Sequence, residues 1–189
     1  MMMNDLIART PIFCKHTALL KETSADTSKV PTGGKVEYVT NSEVLVINFD
    51  DAAEDYISTF APGCMRPRSV DALALLDNRL AFIEFKNGDV DAKEIRQKVK
   101  FSLLMFCDLT DQRLQFTREH MDFYLVAPPP VPKNDKERLD AQMEEKAGHI
   151  RHARMSVKRH FETLYFHNAH NYTKEEFAET AKRIQPVML

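Results

Sequence analysis

The sequence predicts an α/β fold, close to the border with α+β, in which helices flank a central mixed sheet. Residues 68–89 have the alternating and largely apolar pattern of a buried β-hairpin, and an amphipathic helix and a further strand follow it. The chain has 189 residues, 43% of them hydrophobic, which suits a single domain, 1–189, with a sizeable core. Within it we expect an N-terminal segment, a central core and appended C-terminal helices, at 1–49, 50–127 and 133–189.

Composition and charge limit the classes of protein that fit. The formal net charge of -2 gives no overall positive field, although a local basic groove would be enough to bind nucleic acid. The chain has three cysteines, Cys14, Cys64 and Cys107, and they lack CxxC spacing. An odd number without this spacing indicates neither a disulfide framework nor a zinc site. The first 21 residues lack a long apolar core, and no run approaches the roughly 18 apolar residues of a membrane helix. We therefore expect a cytoplasmic protein without membrane association.

The N-terminal segment is expected to contain a hairpin. The stretches "KVEYVT" and "EVLVINF" have strand composition, and the polar "TNSE" between them suggests a turn. "DDAAEDYISTF", residues 50–60, predicts a short helix with Asp50 or Asp51 as its N-cap. "APGCMRPR" ends this helix.

The central hairpin has a register that can be derived from its turn. Asn tolerates the left-handed conformation of a two-residue turn, which places the turn at Asp77–Asn78. The residue numbers of cross-strand partners then sum to 155, so Asp71 faces Glu84 with Cβ atoms about 5 Å apart. Lys86 projects from the same side. The remaining pairs are apolar on both faces, as in a strand pair covered on both sides: Leu73–Phe82 and Leu75–Leu80 on one face, and Val70–Phe85, Ala72–Ile83 and Ala74–Ala81 on the other.

The elements after the hairpin are predicted from caps and periodicity. Asp91 and Glu94 form an Asp-x-x-Glu start, and apolar residues recur at helical spacing through 91–109. "MDFYLVA", residues 121–127, is a strand, and "PPPVP" is a stiff connector. About two helices are expected across 134–166. A last helix follows at Thr173–Ile184, with its own Thr-x-x-Glu cap.

Two carboxylates facing each other in a buried hairpin need a physical explanation. They repel each other and lose hydration, so one is driven toward protonation unless a cation lies between them. A hard divalent cation such as Mg²⁺ resolves this conflict, and Lys86 beside it could activate a water or neutralise a phosphoryl group. The pattern of Asp71, Glu84 and Lys86 therefore predicts a metal and phosphate site. The alternative is a structural ion-pair cluster in which Lys86 neutralises one carboxylate.

These residues resemble the PD-(D/E)XK nuclease superfamily. Asp71, a hairpin, and "IEFKNG" with its Glu84-x-Lys86 are similar to the motif for which the family is named, although Val70 stands where that name has proline. The restriction-endonuclease-like core of the family runs helix, three strands, helix, strand, and the resemblance covers residues 50–127. The first core strand lies either before Asp71 or, as "EVLVINF", ahead of the first helix.

The resemblance also implies roles for individual residues. Asp71 and Glu84 would bind Mg²⁺ or Mn²⁺, with the backbone carbonyl of Phe85 as a further ligand. Lys86 would assist the attacking water. Glu54 is the candidate for the acid that many members place on the first core helix.

The function expected from this resemblance is metal-dependent hydrolysis of phosphodiester bonds in nucleic acid, with DNA as the first choice. Basic and amide side chains that could hold phosphates, or merely solvate a surface, are Arg66, Arg68, Lys93, Arg96, Gln97, Lys100, Arg151, Arg154 and Lys158. The alternative is a catalytically inactive nuclease-like fold that serves as a protein- or nucleic-acid-binding regulatory module. A third option is an enzyme for a small phosphorylated substrate. The sequence leaves open endo- or exonuclease action, DNA or RNA, and whether a homodimer or a protein partner supplies specificity.

Overall fold

A computed structural model describes residues 3–26, 34–129, 158–162 and 164–187 of the chain. These residues form a seven-stranded mixed sheet flanked by helices, which confirms the predicted fold class. The strands are β1 Thr17–Leu19, β2 Ala25–Asp26, β3 Glu37–Tyr38, β4 Leu45–Asn48, β5 Ala72–Leu76, β6 Arg79–Phe85, β7 Met121–Val126, β8 Asn168–Tyr172 and β9 Ile184–Gln185. The helices are α1 Met3–Ala8, α2 Pro11–Lys15, α3 Leu20–Thr23, α4 Phe49–Phe60, α5 Ala92–Thr110, α6 Leu114–His120 and α7 Lys174–Ala181.

The topology of the sheet brings several chain ends to one edge. The strand order is β1-β4-β5-β6-β7-β8, with β9 also paired to β5. Strand β5 runs antiparallel to both of its neighbours, β4 and β6, whereas β6, β7 and β8 run parallel to one another. The end of β4, the start of β5 and the ends of β6 and β7 therefore share an edge. Helix α4 begins at this edge directly after β4.

The predicted register of the central hairpin is confirmed. Strand pairing runs from Ala72 opposite Ile83 to Leu76 opposite Arg79, and each pair of residue numbers sums to 155. Asp77 and Asn78 have φ angles of 49° and 62°, which both central residues of a type I′ turn require. Asp71 and Glu84 therefore lie at the open end of this ladder.

The turn allows a direct test through Asn78. We expect Asn78→Ala to lower the free energy of unfolding by about 1 kcal/mol, because alanine is strained in the left-handed conformation. Glycine adopts this conformation freely, so Asn78→Gly should be at least as stable as the wild type. Urea unfolding of the three proteins measures the difference. Equal losses in both variants would mean that the Asn78 side chain, and not its backbone conformation, stabilises the turn.

The sheet buries an apolar core on each face. On one face Phe82 packs between Phe49, Phe106 and Phe166, with ring centroids 4.9–6.1 Å away. The predicted alternation holds on both faces: Leu73, Leu75, Leu80 and Phe82 face the α5 side, and Ala72, Ala74, Ala81, Ile83 and Phe85 face the α7 side. Val70 was expected with the second group, and this is wrong. It lies in the α5-side core, and its N–H donates to Ser102 Oγ at 2.9 Å, because strand β5 begins only at Ala72.

Two further expectations for the N-terminal half are corrected. "KVEYVT" and "EVLVINF" do not form a hairpin with each other, because β3 pairs with β2 and β4 pairs with β1 and β5. Helix α4 is capped by Asn48, whose side chain accepts from the Asp51 N–H, and not by Asp50 or Asp51. The strand ahead of α4 is thus the neighbour of β5 in the sheet.

The other helix predictions agree with the structure near their starts. Asp91 caps α5 by accepting from the N–H groups of Lys93 and Glu94. Thr173 caps α7 in the predicted capping box with Glu176. The C-terminal region also supplies strands β8 and β9 to the sheet, beyond the helices expected for 133–189. Residues 134–157 of the expected helical pair lie outside the described part. In the described ranges, no helix is both long and apolar enough to span a bilayer.

Candidate functional site

Three elements converge on Asp71 at the shared edge of the sheet. Its side-chain Oδ2 accepts from the Phe85 N–H at 2.6 Å, which ties the start of β5 to the end of β6. Its backbone carbonyl accepts from the Phe49 N–H at 3.1 Å, which ties it to the start of α4. Glu84, one residue before Phe85, is fully buried. The structure thus places the two predicted acids at one buried end of the sheet.

Lys98, which the sequence pattern does not predict as a site residue, lies between these two acids. Lys98 Nζ is 3.3 Å from Asp71 Oδ1 and 2.8 Å from Glu84 Oε1, and it donates to Glu84 Oε2 at 3.0 Å. It comes from α5, between the core residues Ile95 and Val99. The cation expected between two buried acids is therefore supplied by the ammonium group of Lys98.

Lys86 and Arg68 extend the site through Glu94. Lys86 Nζ is 3.3 Å from Glu84 Oε1 and 2.9 Å from Glu94 Oε1. Arg68 Nη1 is 3.2 Å from the same Glu94 oxygen. The Glu94 carboxylate thus bridges two cations. At the start of α5, only the backbone N–H of Glu94 takes part in the cap formed by Asp91. The Glu94 side chain does not complete the expected capping box, because it contacts Lys86 and Arg68.

Arg66 joins a second pair of acids on the neighbouring helix. Its guanidinium is 2.9 Å from Asp50 and 3.2 Å from Glu54, and the Ser69 hydroxyl donates to Asp50. Asp50 contributes to raising the pKa of Asp71, so its charge acts at the buried pair. The Glu54 side chain is 70% exposed. The structure therefore brings Glu54 to Arg66, and Asp50 is the acid of α4 whose charge acts on Asp71.

The protonation of the buried pair follows from its surroundings. Burial, reinforced by the Asp71 charge, raises the pKa of Glu84 to about 8, against the opposing effect of Lys98 and Lys86. Burial also raises the pKa of Asp71 to about 6, with Lys98 opposing. Although burial lowers the pKa of Lys98, the charges of Asp71 and Glu84 outweigh it and raise that pKa above its usual range. Near neutral pH the site thus favours charged Asp71 and Lys98 with a protonated Glu84.

The donor set fits a hard divalent cation with few protein ligands. Glu84 Oε1 is buried and no donor in the described residues is aligned to hydrogen-bond with it. Its contacts with Lys98 and Lys86 are short in distance but lack hydrogen-bond geometry. The described residues contain no group of three or more His, Cys, Asp or Glu arranged to hold a metal. If a divalent cation bound here, Asp71 and Glu84 would supply its carboxylate ligands, and a backbone carbonyl, such as that of Phe85, and water would have to supply the rest, as Mg²⁺ commonly requires.

The remaining predicted phosphate contacts are scattered. Lys93, Gln97 and Lys100 lie exposed on α5, Arg96 is half-buried there, and none of these four has a resolved contact to Asp71 or Glu84. Lys158 pairs with Glu162 at 3.4 Å. Arg151 and Arg154 lie outside the described residues. Arg66 and Arg68 are thus the predicted arginines that the structure brings to the site.

No protein-family model, curated protein or solved structure matches this chain. The resemblance to PD-(D/E)XK nucleases therefore rests on Asp71, Glu84 and Lys86 and on the register of the hairpin that carries them. Fold similarity alone would not establish chemistry, and any functional conclusion has to come from the geometry of this site.

Proposed function

We propose that the protein is a metal-dependent, nuclease-like enzyme that hydrolyses phosphodiester bonds in nucleic acid, with DNA as the first substrate to test. The observation that carries the proposal is the fully buried Glu84, paired with Asp71 and left with one oxygen that lacks an aligned donor. Buried ion pairs are weak stabilisers, and apolar replacements of similar volume are often as stable or more so. A functional requirement explains why carboxylates occupy the end of an otherwise apolar hairpin.

The residues of the site would have separate roles. Asp71 and Glu84 hold Mg²⁺ or Mn²⁺, which when bound supplies charge stabilisation and water activation at neutral pH. Lys86 donates to the nucleophilic water or to a phosphoryl oxygen. Arg68, with a side chain 64% exposed, exchanges Glu94 for a phosphate of the substrate. Arg66 likewise exchanges its contacts with Asp50 and Glu54 for a phosphate of the substrate.

A second candidate function is a catalytically inactive module that binds protein or nucleic acid. The observation favouring it is Lys98, because its ammonium already lies between the two carboxyl groups and balances the charge of Asp71. In such a module the lysine would be a permanent replacement for the metal. Metal uptake separates the two functions.

Calorimetric titration with Mg²⁺ and Mn²⁺ tests the proposal. We expect the wild type to bind the metal, and Glu84→Gln to lose more than the roughly 10–100-fold in affinity that removal of an outer-shell partner costs. Glu179→Gln makes the same chemical change at an exposed position of α7 and should bind metal like the wild type. Cleavage of supercoiled plasmid, single-stranded DNA and RNA should follow metal affinity across the three proteins.

The opposite result has a clear meaning. A folded wild type that takes up neither metal and cuts none of these substrates would reduce the cluster to structural ion pairs. Retention of uncut DNA or RNA by that protein would then support the binding module.

A further inference from the structure

We infer that Lys98 is a resident cation of the site: its ammonium holds Asp71 and Glu84 together in the metal-free protein and has to leave before a divalent cation binds between them. This inference rests on the proposed function, because it concerns the same pair of carboxylates. It assigns a role to a residue that neither the hairpin register nor the resemblance identified.

The contacts of the carboxylate oxygens carry the inference. Lys98 Nζ lies within 3.3 Å of Asp71 Oδ1 and of both oxygens of Glu84. The fourth oxygen, Asp71 Oδ2, accepts from the Phe85 N–H. Every oxygen of the pair is thus in contact with Lys98 or the backbone. An incoming cation can gain two carboxylate ligands only if the ammonium gives up its position.

Charge makes joint occupancy unfavourable. A divalent cation between Asp71 and Glu84 would lie within a few ångströms of Lys98 Nζ, whose side chain is only 13% exposed. Like charges at that separation repel strongly where little water screens them. Lys86 is a weaker competitor, because it lies 3.3 Å from Glu84 and is held more closely by Glu94 at 2.9 Å.

The structure also offers the displaced ammonium a second partner. Glu94 precedes Lys98 by four residues on α5, so the two side chains share one face of the helix. The charge of Lys98 already lowers the pKa of Glu94, together with Lys86 and Arg68. An ammonium released from the pair would stay near the Glu94 carboxylate, which Lys86 and Arg68 already contact. On this side it would add positive charge where phosphate is expected to bind.

Amine labelling of the wild-type chain tests this exchange directly. With EDTA present, we expect Lys98 to be protected from an amine-reactive reagent, and at saturating Mg²⁺ to react several-fold faster, as read by peptide mass spectrometry. Lys100, exposed on the same helix, is the internal reference and should react equally in both conditions.

Calorimetry of Lys98→Met provides a second, independent measurement. At pH 8.5, where protons compete less for the carboxylates, removal of the resident ammonium should tighten Mg²⁺ binding by about tenfold or more relative to the wild type. Lys182→Met, at an exposed position directly after α7, should bind like the wild type. Where Lys98→Met does not fold, the labelling of the wild type decides.

The outcomes separate this inference from the proposed function. Mg²⁺ uptake without a change in Lys98 labelling would overturn the inference and leave the metal-dependent function standing. Uptake by Lys98→Met but not by the wild type would support the inference and overturn the proposed function of the natural chain. No uptake by either protein would overturn both.

Discussion

In EDTA, the free energy of unfolding of the wild type is expected to fall as the pH rises from 5 to 9, and Glu84→Gln should remove most of this loss. Glu84 has an ordinary pKa of 4.5 when unfolded, and burial raises it to about 8 in the folded protein. The folded state therefore keeps a proton over a range in which the unfolded state has released it. The stability contributed by this group is complete below the unfolded pKa and is lost as the pH rises to the folded pKa.

The expected size of this effect is large for one side chain. With 1.36 kcal/mol for each pKa unit, the difference between wild type and variant should change by about 4 kcal/mol across the roughly three units between pH 5 and the folded pKa. That corresponds to about 8–16 °C in the unfolding midpoint of a chain of this length. Thermal unfolding at pH 5, 7 and 9 measures it. Glutamine mimics the protonated acid, so the variant should be the more stable protein at pH 9.

A matched variant isolates the contribution of the buried acid. Glu179→Gln should follow the wild-type curve, because Glu179 is exposed on α7. Parallel curves for the wild type and Glu84→Gln would show that Glu84 is ionised in the fold throughout this range, which would contradict the buried-acid interpretation. Added Mg²⁺ should stabilise the wild type at pH 9 and leave Glu84→Gln unchanged, since only a state that binds the ion gains from it.

The parts of the fold that were predicted correctly depend on local rules. The Asp77–Asn78 turn fixes the pairing of its two strands, and the side-chain alternation then assigns each residue to a face. The Asp91 and Thr173 caps give helix starts in the same way. The alternation rule does not extend to Val70, because this residue precedes the paired residues of β5. Its side chain lies in the α5-side core.

The parts that were missed depend on contacts between distant segments. Strand β8 has the polar sequence "NAHNY" and pairs with β7, more than 40 residues earlier in the chain. Strand β9 has two residues and pairs with β5. Short strands of this kind are stabilised by their tertiary neighbours and carry little pattern of their own.

The same distinction applies to the site. The register placed Asp71 opposite Glu84, but the position of Lys98 depends on how α5 packs over the hairpin. One sequence signal could have indicated that Lys98 lies at the site. Glu94 and Lys98 are four residues apart on one face of α5, and each directly precedes a residue of the core. The charge of Asp50 acts on Asp71, because α4 begins at the same sheet edge, whereas Glu54 lies one turn further along α4 and contacts Arg66.

Lys86→Met is expected to lower the rate of DNA cleavage by about 10²–10³-fold, the range that loss of one hydrogen-bond donor to the developing charge typically costs. It should change Mg²⁺ affinity by less than about tenfold, because Lys86 is held mainly by Glu94 and is not among the proposed metal ligands. Single-turnover cleavage at saturating metal, together with calorimetry, gives the two quantities separately.

Control variants define what this result means for the two lysines. Lys182→Met removes an exposed ammonium directly after α7 and should leave cleavage and metal affinity unchanged. If Lys86→Met lost metal affinity in proportion to cleavage, Lys86 would act by holding Glu84 in place and not on the substrate. If cleavage were unaffected, Lys86 would have no role at the phosphate, and Lys98, which contacts Glu84 from helix α5, would be the next lysine to test.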